Sequence, residues 1–134
     1  MADTTAFIRH IKTKLSGADW FASQGFSNQQ VYRQYLPQVK EPIYPCLTLS
    51  YEIDERAVFA NIDNLRLFVS VHAKEFDKVE EVAKQLSDLL HKYTYSDEQL
   101  TIYKCYDVGV PTVPSWNKNL NVWEAVVEFD CQVG

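Results

Sequence analysis

The sequence predicts an α+β domain in which a mainly antiparallel sheet of four to five strands packs against an N-terminal helix and one long central helix. Two segments repeat apolar residues every three or four positions, as amphipathic helices do. Other segments alternate apolar and polar residues, as half-buried strands do. The strands follow one another in runs and do not alternate with helices, which is typical of the α+β class. The 134 residues fit a single domain spanning residues 1–134.

The two predicted helices each carry one apolar stripe. The first covers residues 4–15 and ends at Gly17, because glycine readily adopts the left-handed conformation that closes a helix. The second covers residues 75–92 and has the clearest periodicity. The stripes consist of Phe7, Ile8, Ile11 and Leu15 in the first helix and of Phe76, Val79, Ala83, Leu86 and Leu90 in the second. Each stripe predicts a helix face that packs on the sheet.

The strands are predicted from alternation and from the positions of proline. Prolines at positions 37, 42 and 45 forbid a long element in residues 18–45, which leaves a loop with one short strand and then an extended crossing. The predicted strands cover residues 30–36, 47–53, 65–72, 100–108 and 121–133. A hairpin over residues 54–64 joins the second to the third. Phe68 lies on the polar face of its strand, which indicates that this face is covered by the first helix or by a neighbour.

Composition restricts the classes of partner. Lys and Arg number 13 against 18 Asp and Glu, so the net charge is -5 and no clustered positive charge favours nucleic-acid phosphates. No apolar stretch is long enough to span a membrane, and the first residues do not form a signal peptide. The three cysteines, Cys46, Cys105 and Cys131, are far apart and odd in number. They are interpreted as reduced thiols of a cytoplasmic product.

No catalytic constellation is recognisable, so we expect no enzyme activity and no cofactor. The phosphate-binding glycine loops, HExxH, GxSxG and paired cysteines with zinc spacing are all absent from the sequence. His10, His72 and His91 are isolated along the chain and are interpreted as solvated side chains rather than metal ligands. No residue is therefore assigned to catalysis, to a metal or to a cofactor.

The apolar character of three surface segments predicts a protein interface. These are the hairpin tip at 58–62, the loop at 108–116 and the tyrosine-rich segment at 32–44. Trp116 is the best single anchor, because buried aromatic side chains contribute much of the binding energy at interfaces. The alternative for Trp116 is that it folds back over the core, and for Phe59 that it lies under its own hairpin. The candidate interface residues are Val58, Phe59, Ile62, Val110, Val113 and Trp116.

Two runs of sequence resemble the tail terminator, or tail completion, proteins of long-tailed bacteriophages. One is Glu41-Pro42-Ile43-Tyr44-Pro45 feeding a strand. The other is the strand from Leu65 to His72 leading directly into the helix from Glu75 to Leu86. The last strand ends the chain, as it does in that family. The resemblance extends over nearly the whole domain and rests on layout and short runs, since the family has no diagnostic motif.

The resemblance implies a structural role at the head-proximal end of a virion tail. Such a protein caps the tail tube when the tube reaches its set length and offers a docking surface for the head-completion or connector protein. The family forms a six-fold ring around the DNA channel, so the implied partners are further copies of this chain, the tail tube protein and the connector. The implied location is the virion tail, after assembly in the host cytoplasm.

An acidic bore would let DNA slide through such a ring without specific binding, because phosphates find no cationic partner. Two sets of residues are candidates for the lining. They are Glu124, Glu128 and Asp130 on one strand face, and Glu80, Glu81 and Asp88 on the central helix. Both sets stay open on the sequence alone.

Three other functions remain open. The nearest is another neck component, such as a head-completion or adaptor protein. A small α+β enzyme or ligand-binding domain with a pocket between sheet and central helix is the second, and a generic oligomeric interaction protein is the third.

Overall fold

Three α-helices and seven strands make up the described part of the chain. The computed structural model describes residues 4–33, 40–56, 62–109 and 113–134, without the side chains of Glu55 and Arg56. The helices are α1 Thr4–Ser16, α2 Trp20–Ser23 and α3 Phe76–Leu90. The strands are β1 Val31–Tyr32, β2 Cys46–Arg56, β3 Asp63–Ala73, β4 Tyr95–Ser96, β5 Thr101–Asp107, β6 Ser115–Asn117 and β7 Val122–Val133. All seven strands belong to one sheet.

The sheet is antiparallel except at one edge. Its order is β1-β2-β3-β7-β5-β4, with β6 pairing β7 beside that path. β1 runs parallel to β2, and every other pair is antiparallel. The α+β class is therefore correct. The predicted strand count of four to five is too low, because β4 and β6 have only two and three residues and show no alternation. The one-turn helix α2 was missed for the same reason.

One apolar cluster joins all three helices to a single face of the sheet. The stripe of α1 is fully buried as predicted, and α3 buries Val79, Val82, Ala83, Leu86 and Leu90. These side chains pack with the inward residues of β3 and β7, among them Leu67 and Phe129, both 0% exposed. Each such side chain contributes about 1.5–3 kcal/mol through removal of apolar surface from water. The helices therefore all lie on the same side.

The proline-rich crossing before β2 is anchored by a buried side chain. Gln30, only 8% exposed, donates from Nε2 to the carbonyls of Pro45 (2.7 Å) and Gly25 (3.1 Å). Tyr32 accepts a hydrogen bond on its hydroxyl from the backbone N–H of Ile43, at 3.0 Å. These bonds hold the run that feeds β2 against the edge of the sheet.

Candidate protein interface

The face of the sheet opposite the helices, called here the open face, is mostly polar and acidic. Strand register sets Glu52, Arg66 and Asp130 side by side in one row across β2, β3 and β7. Tyr106 of β5 continues this row and is 40% exposed, and Val126 of β7, also 40% exposed, lies on the same face. Phe68 is half-buried on it. The expectation that α1 covers Phe68 is wrong, because the stripe of α1 is buried in the core on the other side.

Arg66 is the shared ion-pair partner of three carboxylates on the open face. Arg66 lies 3.3 Å from Asp54, 3.2 Å from Glu128 and 3.7 Å from Asp130, and all four side chains are substantially exposed. Exposed ion pairs of this kind contribute about 0–1 kcal/mol each to stability. One positive charge against three negative ones leaves the group acidic.

A buried polar cluster, the His72 cluster, lies at the other end of the open face. His72 is 6% exposed, so its interpretation as a solvated side chain is wrong. Its Nδ1 lies 2.9 Å from a carboxylate oxygen of Glu124, and its Nε2 lies 3.1 Å from the hydroxyl of Thr48. Asn117 donates to the other oxygen of Glu124 at 3.2 Å. The cluster links four strands, β2, β3, β6 and β7.

The His72 ring is held neutral by this environment. Burial lowers the pKa of His72, and the carboxylate of Glu124 opposes that effect without reversing it. Because a carboxylate only accepts, Nδ1–H donates to Glu124, and Nε2 of the neutral ring accepts from the Thr48 hydroxyl. Cys46, fully buried beside Glu124, has its pKa raised to about 12 by burial and by that negative charge. The carboxylate of Glu124 therefore lies among neutral partners.

The segment from Val113 to Asn121, called here the Trp116 arm, projects an aromatic side chain. β6 pairs β7 so that Trp116 faces Trp123, with ring centroids 5.3 Å apart. Trp123 in turn contacts Phe76 of α3 edge to face, at 5.0 Å. Trp116 remains 48% exposed and Val113 is 77% exposed. One part of the Trp116 ring therefore packs on the domain while the remainder is available for contact.

A second exposed apolar surface, called here the hairpin overhang, consists of Tyr51 and Ile53. Tyr51 and Ile53 point to the same side as the buried Leu47 and Leu49, yet they are 36% and 39% exposed. The helices cover only the first half of β2. Ile62 is half-buried. Of the remaining sequence-predicted interface residues, Val58, Phe59 and Val110 lie outside the described residues.

The hairpin overhang and the Trp116 arm lie at different levels along β3. Tyr51 and Ile53 pair with Leu67 and Leu65, whereas Ala73 at the end of β3 pairs with Trp123, the partner of Trp116. Six to eight residues of strand lie between the two levels, a distance of about 20–26 Å at roughly 3.3 Å per residue. The domain therefore presents two different apolar surfaces that are well separated.

The two acidic sets lie on opposite sides of the molecule. The β7 set points to the open face and consists of Glu124, Glu128 and Asp130. There His72 and Asn117 bind the oxygens of Glu124. Arg66 binds those of Glu128 and Asp130. Glu80, Glu81 and Asp88 lie exposed on α3. Within the described ranges these three α3 carboxylates form no ion pair. Their negative charge is the less compensated of the two sets.

Among the residues that the structure describes, no group of three or more His, Cys, Asp or Glu is arranged to hold a metal ion. In the same part of the chain, no helix combines the length and the apolar character needed to cross a membrane.

Comparison with known proteins finds a match by structure and none by sequence. No family model matches the sequence, and no curated protein does. The fold matches a virion chain. That chain belongs to the structure described as the virion of a native gene transfer agent particle. The TM-score is 0.73, and the match covers 92% of this chain and 90% of that chain at 12% sequence identity. At this identity the likeness shows the fold.

The sequence did not single out the His72 cluster or the hairpin overhang. His72 lies 24 residues from Thr48 and 52 from Glu124, so their contact follows only from strand register. The sequence did contain an indication of the overhang. The apolar alternation Leu47, Leu49, Tyr51, Ile53 extends along more of the strand than the width of one packed helix. Trp123 packs partly buried against the core and forms the platform for Trp116.

Proposed function

We propose that this chain is a structural protein of a virion and that it caps the head-proximal end of a tail tube. The observation that supports the virion role most strongly is the fold match, which spans nearly all of both chains. The finer assignment, a tail terminator that ends tube growth and docks the head connector, rests on the resemblance of the Glu41–Pro45 and Leu65–Leu86 runs to that family. This role requires no catalysis, and none is proposed.

The two separated apolar surfaces support assembly into a closed ring. A ring of identical subunits uses head-to-tail contacts, so each subunit needs two different patches that meet across the interface. The hairpin overhang and the Trp116 arm lie six to eight residues apart along β3 and consist of different side chains. We propose that the hairpin overhang of one copy contacts the Trp116 arm of the next, and that the resulting ring has six subunits as the family resemblance implies.

We also propose that the acidic α3 set faces the DNA channel of this ring. Glu80, Glu81 and Asp88 are exposed and form no ion pair within the described residues, with one lysine, Lys84, among them on α3, whereas the β7 set is engaged with Arg66, Asn117 and His72. Carboxylates in excess over cations repel phosphates and deny them a binding site. DNA then passes through without specific binding.

Deletion of the gene from the genome that encodes the chain tests the role directly. Electron microscopy of the lysate should show overlong or unattached tails beside DNA-filled heads, because an uncapped tube continues to grow. Tails of normal length beside heads that leak DNA would assign the chain to head completion instead. Intact virions would contradict a structural role.

Complementation of that deletion tests the proposed surfaces. Trp116→Glu and Ile53→Glu should each produce folded protein that fails to restore infectious particles, because a buried charge at an interface is not compensated. The matched controls are Lys118→Glu in the turn of the same arm and Glu52→Gln beside Ile53 on the same strand. Both controls should complement. Full complementation by both test variants would contradict the assignment of these surfaces to assembly.

A further inference from the structure

We propose that Cys105 and Cys131 are a modification site, at which a peroxide converts the two thiols of the folded chain into a cross-strand disulfide. The sequence separates these cysteines by 26 positions, and the sequence-based interpretation of them as unrelated thiols did not foresee their contact. The fold places them on adjacent strands with their sulfur atoms 3.5 Å apart. Both are free thiols in the structure.

Strand register supplies the geometry that a disulfide needs. Cys105 of β5 lies directly opposite Cys131 of β7 in an antiparallel pair. Residues directly opposite in such a pair have Cα atoms roughly 4.5–5.5 Å apart, inside the range of about 4.4–6.8 Å that disulfides span. The sulfurs must approach by about 1.5 Å to reach bonding distance, which side-chain rotation can supply. Cys46, the third cysteine, lies opposite His72 between β2 and β3 and has no such partner.

The chemistry balances with a peroxide as the only co-reactant. One thiol loses its proton, and its thiolate sulfur attacks a peroxide oxygen, so that the O–O bond breaks and a sulfenic acid and one water form. The second sulfur then displaces the sulfenic hydroxyl, which leaves as a second water, and the S–S bond forms. Two S–H bonds are lost, the two sulfurs are oxidised and the peroxide is reduced to two waters.

Burial makes this reaction slow and selective for small oxidants. Cys105 and Cys131 are 1% and 2% exposed. The hydrogen bond to Cys105, together with burial, raises the pKa of the Cys131 thiol, which reduces the thiolate population.

The bond would tie β5 to β7 near the hairpin end of the sheet. The chain between the two cysteines contains β6 and the turn that follows it, so a disulfide closes a loop that includes Trp116. Closing a loop of this length stabilises the folded state mainly by restricting the unfolded chain. If the proposed virion role holds, the dithiol persists in the reducing cytoplasm and oxidises after the particle is released. The chemistry itself does not depend on that role.

Peroxide treatment of the purified full-length protein tests the site. Intact mass should fall by two hydrogens, and peptide mapping without reductant should find the Cys105–Cys131 link, at a rate that rises with pH. The midpoint of thermal unfolding should rise by about 5 °C or more and return after treatment with a dithiol reductant. Cys46→Ser is the matched control and should form the same link.

Two results would overturn the proposal. One is a protein whose only peroxide products are oxidised Cys46 or links between chains, at a pH where free cysteine thiols react readily. The other is a Cys105→Ser variant that shows the same mass loss and the same thermal shift as the natural protein. If that variant does not fold, the peptide map of Cys46→Ser decides alone. Neither result bears on whether the chain belongs to a virion.

Discussion

At the scale of single residues, the His72 cluster shows how register creates a polar site that local sequence does not reveal. The hydroxyl of Thr48, the His72 ring and the Glu124 carboxylate satisfy one another, and no buried side-chain nitrogen or oxygen among the described residues lacks a partner. A buried polar group costs about 1–3 kcal/mol when its partner is removed. The cluster therefore specifies how four strands meet, and it depends on a neutral His72.

Acidification should weaken the fold through His72. The pKa of His72 is lowered in the folded state, so the unfolded chain binds a proton first as pH falls below about 6.5. Stability is complete above that pH and decreases from there down to the folded-state pKa. His72→Gln should reduce the slope of stability against pH in this window, measured by denaturant unfolding at each pH.

His10 also has a pKa lowered by partial burial. It forms a hydrogen bond with Tyr93 and stacks on Tyr95, and the charges of Asp97 and Lys14 act on it in opposite directions. A residual slope in His72→Gln is therefore expected from His10. A slope in His72→Gln as steep as in the natural protein would contradict a neutral, buried His72.

At the scale of elements, α3 is the part of the fold that the sequence specifies most completely. The structure places it at Phe76–Leu90, within the predicted 75–92. Its apolar stripe packs on β3 and β7, and the chain turns after it at Lys92, which has a positive φ of 64°. The N–H of Lys92 donates to the carbonyl of Cys105 at 2.7 Å, which ties the end of the helix to β5.

Truncation of the α3 stripe should destabilise the whole domain. Leu86 is 0% exposed within the core cluster, so Leu86→Ala should lower the free energy of unfolding by about 2–5 kcal/mol. The matched control is Lys84→Ala on the exposed side of the same helix, which should change it by less than about 0.5 kcal/mol. Denaturant unfolding measures both. Equal effects of the two substitutions would contradict the assigned inward face.

Long elements were predictable from sequence, and short or nonlocal features were not. The periodicity of α1, α3, β2, β3 and β7 reports directly which side chains are buried. β6 escaped detection because three residues cannot show alternation, although Asn117 and Asn121 frame its turn. The side chain of Asn117 accepts from the N–H groups of Asn119 and Leu120, and Asn121 has a positive φ of 54°. Such asparagines are a turn signal.

At the scale of the whole molecule, acidic side chains lie on two sides of the domain and the two candidate apolar surfaces lie at different levels of the sheet. The net charge is -5, and the hairpin overhang and the Trp116 arm are six to eight residues apart along β3. Trp116, Val113 and the acidic residues could be named from the sequence, but the hairpin overhang and the arrangement of these surfaces required the fold.

Charge reversal on α3 should slow DNA ejection from assembled particles. Particles carrying Glu80→Lys and Glu81→Lys should bind the passing phosphates and release DNA more slowly in a time-resolved ejection assay, with the delay reduced at high salt. The matched control reverses Glu52 on the open face, away from the proposed channel. Equal ejection rates in the α3 variant and the natural particle would contradict the proposed lining.

The measurement that tests the central claim most directly is localisation of the chain in purified particles. Particles produced by the genome that encodes it are labelled with a gold-conjugated antibody against the chain and imaged by electron microscopy. The proposed function predicts label at one position, where the tail meets the head, and peptides of the chain in the same preparation by mass spectrometry. Absence of the chain from intact, infectious particles would contradict the claim that it is a structural component of the virion.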